Sequence, residues 1–212
     1  MKTSPSAALF DQYATEYQSK HMDTQLYHDS FDRFCAAIST ENAAILEVAC
    51  GPGNITQYLL SQRPDFQILG TDLAPNMIAL AKANNPAASF QLMDSRDIGL
   101  LDQKFDGIVS GFCFPYLSKE EVEKFVADAA RILNPGGVLY ISTMEDDYEK
   151  SGIRHSSKGD EMNMYFYPAA YLTKLLDANG FCLLDLQRKE YPAPDGTLTT
   201  DLLIVAGRQQ PN

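Results

Sequence analysis

The stretch "ILEVACGPGNITQYLL" (45–60) begins as an apolar run suited to a buried strand. It stops at Ala49-Cys50-Gly51-Pro52-Gly53 and resumes with helical spacing. Glycines at 51 and 53 let a strand-to-helix loop come close to a ligand with no Cβ in the way, and the helix that follows offers unpaired backbone N–H groups. A glycine turn also meets purely steric needs in α/β proteins, so the neighbouring strands must decide its meaning.

Apolar runs recur at 43–49, 66–72, 88–94, 105–112 and 136–143 with helical stretches between them, the rhythm of a parallel sheet covered on both faces. Within 118–133, Val122, Phe125, Val126, Ala129, Ile132 and Leu133 recur at spacings of three and four, which predicts an amphipathic helix. Ser118 with Glu121 forms a capping-box pattern at its start, and Asn134-Pro135-Gly136-Gly137 ends it. Residues 168–181 read as a helix stopping near Asn179-Gly180. Segments 181–191 and 198–207 flank a "PAPDG" turn and must pair antiparallel. Two helical stretches, 7–19 and 24–39, precede the first strand. The expectation is one α/β domain with a Rossmann-like seven-stranded sheet, five parallel strands followed by an antiparallel hairpin. It divides into a helical cap (1–40), a core (41–143), a candidate lid (144–167), and a helix with β-hairpin (168–212).

Seventeen Lys and Arg against 28 Asp and Glu give a net charge of −11, the wrong sign for a general phosphate-backbone binder, so no nucleic-acid partner is expected. "MKTSPSAALFDQY" (1–13) lacks the apolar core of a signal peptide, and no run approaches the roughly 20 apolar residues of a membrane span. A cytoplasmic protein with no membrane partner, monomeric or homodimeric, is expected. Cys35, Cys50, Cys113 and Cys182 are widely spaced with no C-x-x-C pair, which predicts reduced, mostly buried thiols and no metal site.

The second strand ends in "GTDL" (70–73), placing Asp72 about 20 residues beyond the glycines, where a carboxylate can accept both hydroxyls of a ribose. The dinucleotide fingerprint fails, because Thr56 stands where its third glycine or alanine belongs and Pro52 lies between the first two. No tyrosine has a lysine four residues later, and no G-x-x-x-x-G-K-[ST] loop exists for a nucleoside triphosphate.

The third strand ends in "MDSRDI" (93–98) and the fourth in "FDGIVSGFCFPYL" (105–117). Glu47-x-x-Cys50-Gly51-x-Gly53, Asp72-Leu73, Asp94-Ser95, Phe105-Asp106-x-Ile108-Val109 and Leu133-x-Pro135-Gly136-Gly137, in this order and spacing, resemble the class I S-adenosylmethionine-dependent methyltransferases of small-molecule type. The resemblance covers nearly the whole chain. It implies that Gly51 and Gly53 approach the methionine moiety of the cofactor, S-adenosyl-L-methionine, that Asp72 holds the ribose and that Asp94 meets the adenine amine. By the same resemblance Leu73 and Met77 pack the adenosine, Ser95 offers its backbone N–H to the ring, and Ser110 sets its main chain near the methionine end. "LFDQYATEY" (9–17) resembles the Y-D-x-x-A-x-x-Y segment of many such members, with Phe10 in place of the first tyrosine, which implies that Tyr13 and Tyr17 help close the pocket. Ala49 departs from the family, which more often has glycine there.

A cradle flanked by Glu47, Asp72 and Asp94 suits a ligand with a sulfonium and an ammonium but no phosphate; a pyrophosphate would meet three like charges. Asp106 is expected to order a loop rather than touch the cofactor. Substrate groups should come from what is added beyond the carboxyl ends of the strands. These are the N-terminal helices, "CFPYL" (113–117) with Phe114 and Tyr116, and the long connection 144–167 with Tyr148 and His155 as candidates, His155 as a candidate general base. Methyl transfer from a sulfonium needs mainly alignment, worth on the order of 7–11 kcal/mol, so the sequence does not reveal the acceptor. Two other functions fit the pattern: a degenerate family member that binds the cofactor as a sensor or partner subunit, and a nicotinamide-dependent oxidoreductase.

Overall fold

β1 (Ala44–Val48) is buried on both faces and pairs in parallel with β2 (Gln67–Asp72) on one side and β4 (Phe105–Gly111) on the other. Such double burial demands an apolar run, and Ile45, Leu46 and Val48 are fully shielded. The computed structural model describes residues 5–155, 158–192, 196 and 198–209. Around β1 the sheet extends to β3 (Ser89–Leu92) beyond β2, and to β5 (Leu133–Met144), β9 (Leu198–Arg208) and β8 (Phe181–Pro192) beyond β4, in the order β3-β2-β1-β4-β5-β9-β8. Only β9 runs against the rest, antiparallel to both β5 and β8. The seven-stranded Rossmann-like sheet with its terminal hairpin is therefore present as the sequence predicts.

Helices α4 (Asn54–Gln62), α5 (Pro75–Asn84), α6 (Lys119–Ile132) and α7 (Ala169–Ala178) cover the sheet. α6 buries Val122, Phe125, Val126, Ala129 and Ile132 against the core containing Phe105, Ile108, Leu139 and Ile141. Fully burying each large apolar side chain contributes about 1.5–3 kcal/mol. The predicted capping box is formed: the Ser118 side chain accepts the Glu121 N–H, and the Glu121 carboxylate accepts the Ser118 N–H at 2.8 Å. Asp106 joins the starts of three strands, accepting from its place in β4 the Ala44 N–H of β1 at 2.9 Å and the Asn134 side-chain amide of β5 at 2.8 Å.

The structure differs from the sequence expectations at three places. The stretch 7–19 divides at Tyr13 into α1 (Pro5–Gln12) and α2 (Ala14–His21), a bend that brings Phe10 and Tyr17 edge to face with ring centroids 5.7 Å apart. The stretch 24–39 opens with a 3-10 turn, Gln25–Tyr27, before α3 (His28–Ala37). The connection 144–167 contains a 3-10 turn, Tyr148–Lys150, and an antiparallel hairpin of β6 (Gly152–His155) and β7 (Glu161–Met164); Ser156 and Ser157 lie outside the described residues. Strands of four residues with mixed polarity leave too little alternation to be read. Cys35, Cys50 and Cys113 are buried, whereas Cys182 is exposed because it lies on the edge strand β8. No helix among the described residues is long and apolar enough to cross a membrane.

Replacing Ser118 with Ala removes half of the α6 capping box. The Ser118→Ala variant is expected to lose about 1 kcal/mol of unfolding free energy, read as a lower urea midpoint at unchanged slope. An unchanged midpoint would mean that the cap contributes nothing in this context.

Candidate functional site

The carboxyl ends of β1 to β4 converge on a crevice of about 890 Å³ including its open mouth. After β1 the chain passes through Ala49 (φ 54°), Gly51 (φ 52°) and Gly53 (φ 81°), three left-handed residues within five. Two are glycine, which takes this conformation freely; Ala49 does so against the steric preference of an L-residue. At Gly53 a Cβ would also fall 2.4 Å from the Asn85 side-chain nitrogen. Asn85 donates from there to the Gly53 carbonyl at 2.9 Å, and Asn84 donates to the Pro52 carbonyl at 2.8 Å, so the C-terminal end of α5 grips the loop from behind.

Asp72 completes the loop. Its Oδ2 accepts the Gly51 N–H at 2.9 Å and its Oδ1 accepts the Ala74 N–H at 2.9 Å. Burial raises its pKa, and the hydrogen bonds from the Ala74 and Gly51 N–H groups oppose that shift. Asp94 lies across the crevice at the end of β3. Burial works against its charge, but the Arg96 guanidinium and backbone N–H prevail and hold its carboxyl below the usual range. Leu73, Met77, Met93, Ser95 and Arg96 line the same wall, and Gly111, Phe112, Cys113, Tyr116 and Leu117 the facing one. Burial pushes the Cys113 thiol up to about 12. Ser6, Ala7, Phe10 and Tyr17 form the roof, with Phe10 also edge to face with Tyr116 at 5.1 Å. Burial and the nearby Asp72 raise the Tyr17 pKa.

Of the residues singled out from the sequence, Gly51, Asp72, Leu73, Met77, Asp94, Ser95, Tyr17 and Tyr116 come together here. Gly53 stands behind the loop as the N-cap of α4. Ser110 is fully buried within β4, and the next residue, Gly111, reaches the crevice instead. Phe114 is buried against Phe125 and Tyr167. Tyr148 stacks on Tyr165 and packs at a tilt against Tyr167 beside Lys119, away from the crevice lining. His155 is exposed on β6, 4.0 Å from Glu161. Tyr13 lines an adjoining groove of about 580 Å³ between α1, α2 and the β6–β7 hairpin. In that groove Lys158 lies 3.9 Å from the Tyr13 ring centroid and pairs with Glu16. Phe10 and Tyr17 border both cavities.

Residues 45–137 match the family profile described as "Methyltransferase domain". The chain carries a class I S-adenosylmethionine-dependent methyltransferase domain. Among relatives, the trans-aconitate 2-methyltransferase of Variovorax paradoxus is 33% identical over 110 residues, 52% of this chain and 41% of that protein. The malonyl-[acyl-carrier protein] O-methyltransferase of Acetivibrio thermocellus is 32% identical over 145 residues, 68% of this chain and 48% of that protein. The chain thus spans about half the length of these curated relatives. In fold, the methyltransferase domain matches the 1,6-didemethyltoxoflavin-N1-methyltransferase of Burkholderia thailandensis with a TM-score of 0.72 at 21% identity, covering 97% of this chain and 88% of that one.

Beneath the glycine loop of the methyltransferase domain lies Glu47, 1% exposed. Its Oε2 accepts the Thr56 hydroxyl, and its Oε1 has no partner among the described residues. It does not line the crevice. Burial pushes its carboxyl up to about 8, opposed by the Thr56 hydroxyl. Sequence reasoning missed Thr56, Asn84, Asn85, Phe112 and Arg96. The signal for Asn85 is weak, and only the three-residue offset of Thr56 from the glycine turn could have suggested a partner for Glu47.

Glu47 gives the stability a definite sign. Between pH 4.5 and about 8 the folded protein keeps a proton that the unfolded chain releases, so stability falls as pH rises through this window. In Glu47→Gln the amide oxygen still accepts from Thr56 and cannot titrate, so that part of the decline is expected to vanish. Urea midpoints at several values between pH 5 and 8 measure it; parallel pH curves for parent and variant would contradict the assignment.

Proposed function

We propose that the chain transfers the methyl group of S-adenosyl-L-methionine to a small-molecule acceptor. The observation that carries this reading is the chemistry of the crevice: partly buried carboxylates at the ends of β2 and β3, a bare glycine loop, and, among the described lining residues, a single cation, Arg96, paired with Asp94 and Glu121. Such a lining accepts hydroxyl and amino donors and a positively charged ligand, and it disfavours a phosphate. The relatives named for trans-aconitate and the solved structure named for didemethyltoxoflavin support a small acceptor.

In this reading each oxygen of Asp72 has accepted one backbone N–H and retains a lone pair for a ribose hydroxyl. Asp94 accepts from the adenine amine, Leu73 and Met77 enclose the adenosine, and the Ser95 backbone faces the ring. The loop at Gly51 lies beside the methionine end, with Gly111 in the place expected of Ser110. S-adenosylmethionine supplies an already activated methyl group on its sulfonium. The faces of Phe10 and Tyr17 exclude water and attract positive charge, contributing about 0.5–2 kcal/mol each where the site is dry.

The hairpin of β6 and β7, with Tyr13 and Tyr17, acts as the gate that selects the acceptor. Its support is positional: β7 packs near α1, the Tyr165 N–H donates to the Pro115 carbonyl at 2.8 Å, and Lys158 reaches Glu16 on α2. Phe10 and Tyr17 border both the donor crevice and the acceptor groove, and Tyr13 lines the groove. His155, facing solvent, is left out of the chemistry.

Saturation with S-adenosylhomocysteine at about 100 times its dissociation constant is expected to stabilise the fold by roughly 2.7 kcal/mol. Asp72→Asn, which removes the charge and turns one of the two acceptor oxygens into a donor, should weaken that binding by about 1.5–3 kcal/mol. Calorimetry checks both; equal affinity in the variant would remove Asp72 from the ribose.

Exchanging residues 146–163 for a short Gly-Ser linker should retain the sheet and most cofactor affinity while greatly reducing methyl transfer to the native acceptor. Circular dichroism, calorimetry and product analysis from labelled cofactor test the three parts. Full transfer by that variant would dismiss the gate, and lost cofactor binding would place the hairpin in the cofactor site.

A further inference from the structure

Every nitrogen of the Arg96 side chain donates to a carboxylate oxygen. Its Nε–H donates to Asp94 Oδ1 at 2.8 Å, a terminal nitrogen donates to Asp94 Oδ2, and its backbone N–H donates to Asp94 Oδ1 at 3.0 Å. The other terminal nitrogen donates to Glu121 at 3.1 Å. Glu121 is itself fixed, because its second oxygen closes the α6 capping box. The Arg96 backbone is held too, its carbonyl accepting from Lys124 at 2.6 Å. A chain of charge-assisted bonds thus runs from the N-terminus of α6 to the acid at the end of β3.

The consequence follows from counting lone pairs. A carboxylate offers about four acceptor positions. On Asp94 both positions of Oδ1 and one of Oδ2 are taken, which leaves one, on a side chain 13% exposed and facing the crevice. The fork geometry of a guanidinium fixes the plane of the carboxylate as well as its charge. We infer that Arg96 is a positioning residue that turns Asp94 into a rigid, single-lone-pair acceptor and thereby makes the site selective for a 6-aminopurine over a 6-oxopurine ligand. This rests on the proposed cofactor reading and adds the base selectivity. An amino group donates to that lone pair. A 6-oxo group sets oxygen against oxygen.

Without Arg96 the carboxylate gains freedom to rotate and to take up a proton, and either change lets it tolerate a 6-oxo group. A structural prop would weaken every ligand alike; a positioning residue changes the ratio between two ligands. The experiment is calorimetric titration of the parent, Arg96→Gln and Arg96→Lys proteins with S-adenosylhomocysteine and with S-inosylhomocysteine, folding being checked by the thermal midpoint of each unliganded protein. The parent should prefer the adenosyl compound by roughly 10- to 100-fold, the scale of one hydrogen bond to a charged group. Arg96→Gln should bring that preference down to a few-fold, mainly through lost adenosyl affinity. Arg96→Lys, which keeps the charge and loses the fork, should fall between. An unchanged ratio in Arg96→Gln, equal weakening of both ligands, or a parent-like ratio in Arg96→Lys would each overturn the inference. A parent protein that binds neither compound would overturn the cofactor reading and this inference together.

Discussion

The clamp between Asp72 and the Gly51 N–H is the contact on which the rest of the crevice depends. Three left-handed residues in the space of five make the loop after β1 costly to hold, and the cost is concentrated at Ala49, which lacks the freedom of glycine. Asp72 ties that loop to the corner between β2 and α5, while Asn84 and Asn85 bind its other side. The parallel register of β1 against β2, Val48 opposite Thr71, sets Asp72 level with the loop. A slip by one residue would turn the carboxylate to the other face of the sheet. Sheet register and ligand chemistry are in this sense one constraint.

That constraint explains why so much of the fold was legible. The five parallel strands are apolar because both their faces are covered, the α6 helix announces itself through Val122, Phe125, Val126, Ala129 and Ile132, and its cap follows from Ser118 and Glu121. Gly51 and Asp72 were readable because their residue types are nearly dictated by position: a bare backbone at a strand-helix turn and an acceptor at the next strand end. What escaped were partners supplied by tertiary structure. Arg96 is two residues from Asp94 yet gains meaning only because Glu121 arrives from α6 to hold its other end. Phe112, left-handed at φ 49° and lining the crevice, gives no local signal, since nothing in its sequence context calls for positive φ. Phe114 and Tyr148 looked like site residues because they are aromatic and near the right loops, and the core absorbed them into its own packing.

Charge within the domain is handled by position. Arg96 keeps Asp94 ionised at the crevice wall, burial drives Glu47 toward its neutral form beneath the loop, and Asp72 is desolvated but accepts the Gly51 and Ala74 N–H groups. Had Glu47 been ionised as well, its unpartnered oxygen would carry charge into a dry site beside Asp72, which the folded state could accommodate only at the expense of one of the two carboxylates. The same acids that give the chain its net negative charge therefore perform different tasks according to depth.

The attachment of the helical cap completes the argument. α1 and α2 meet the core through a small apolar cluster, Ala14 with Ala74 and Met77, and through polar contacts: Asp11 with Asn76, Gln18 with Asn84, the His21 carbonyl with Asn54, and Glu16 with Lys158. Most of those polar contacts are exposed, and exposed hydrogen bonds and ion pairs contribute little because water competes for the same groups. The sheet and its covering helices, by contrast, are closed over residues with almost no exposed surface. Because Phe10 and Tyr17 border both cavities, lifting the cap opens the crevice and the adjoining groove in one movement, against contacts weaker than those that close the sheet. In the proposed reading, entry of donor and acceptor is thereby coupled through the rings that separate the two cavities.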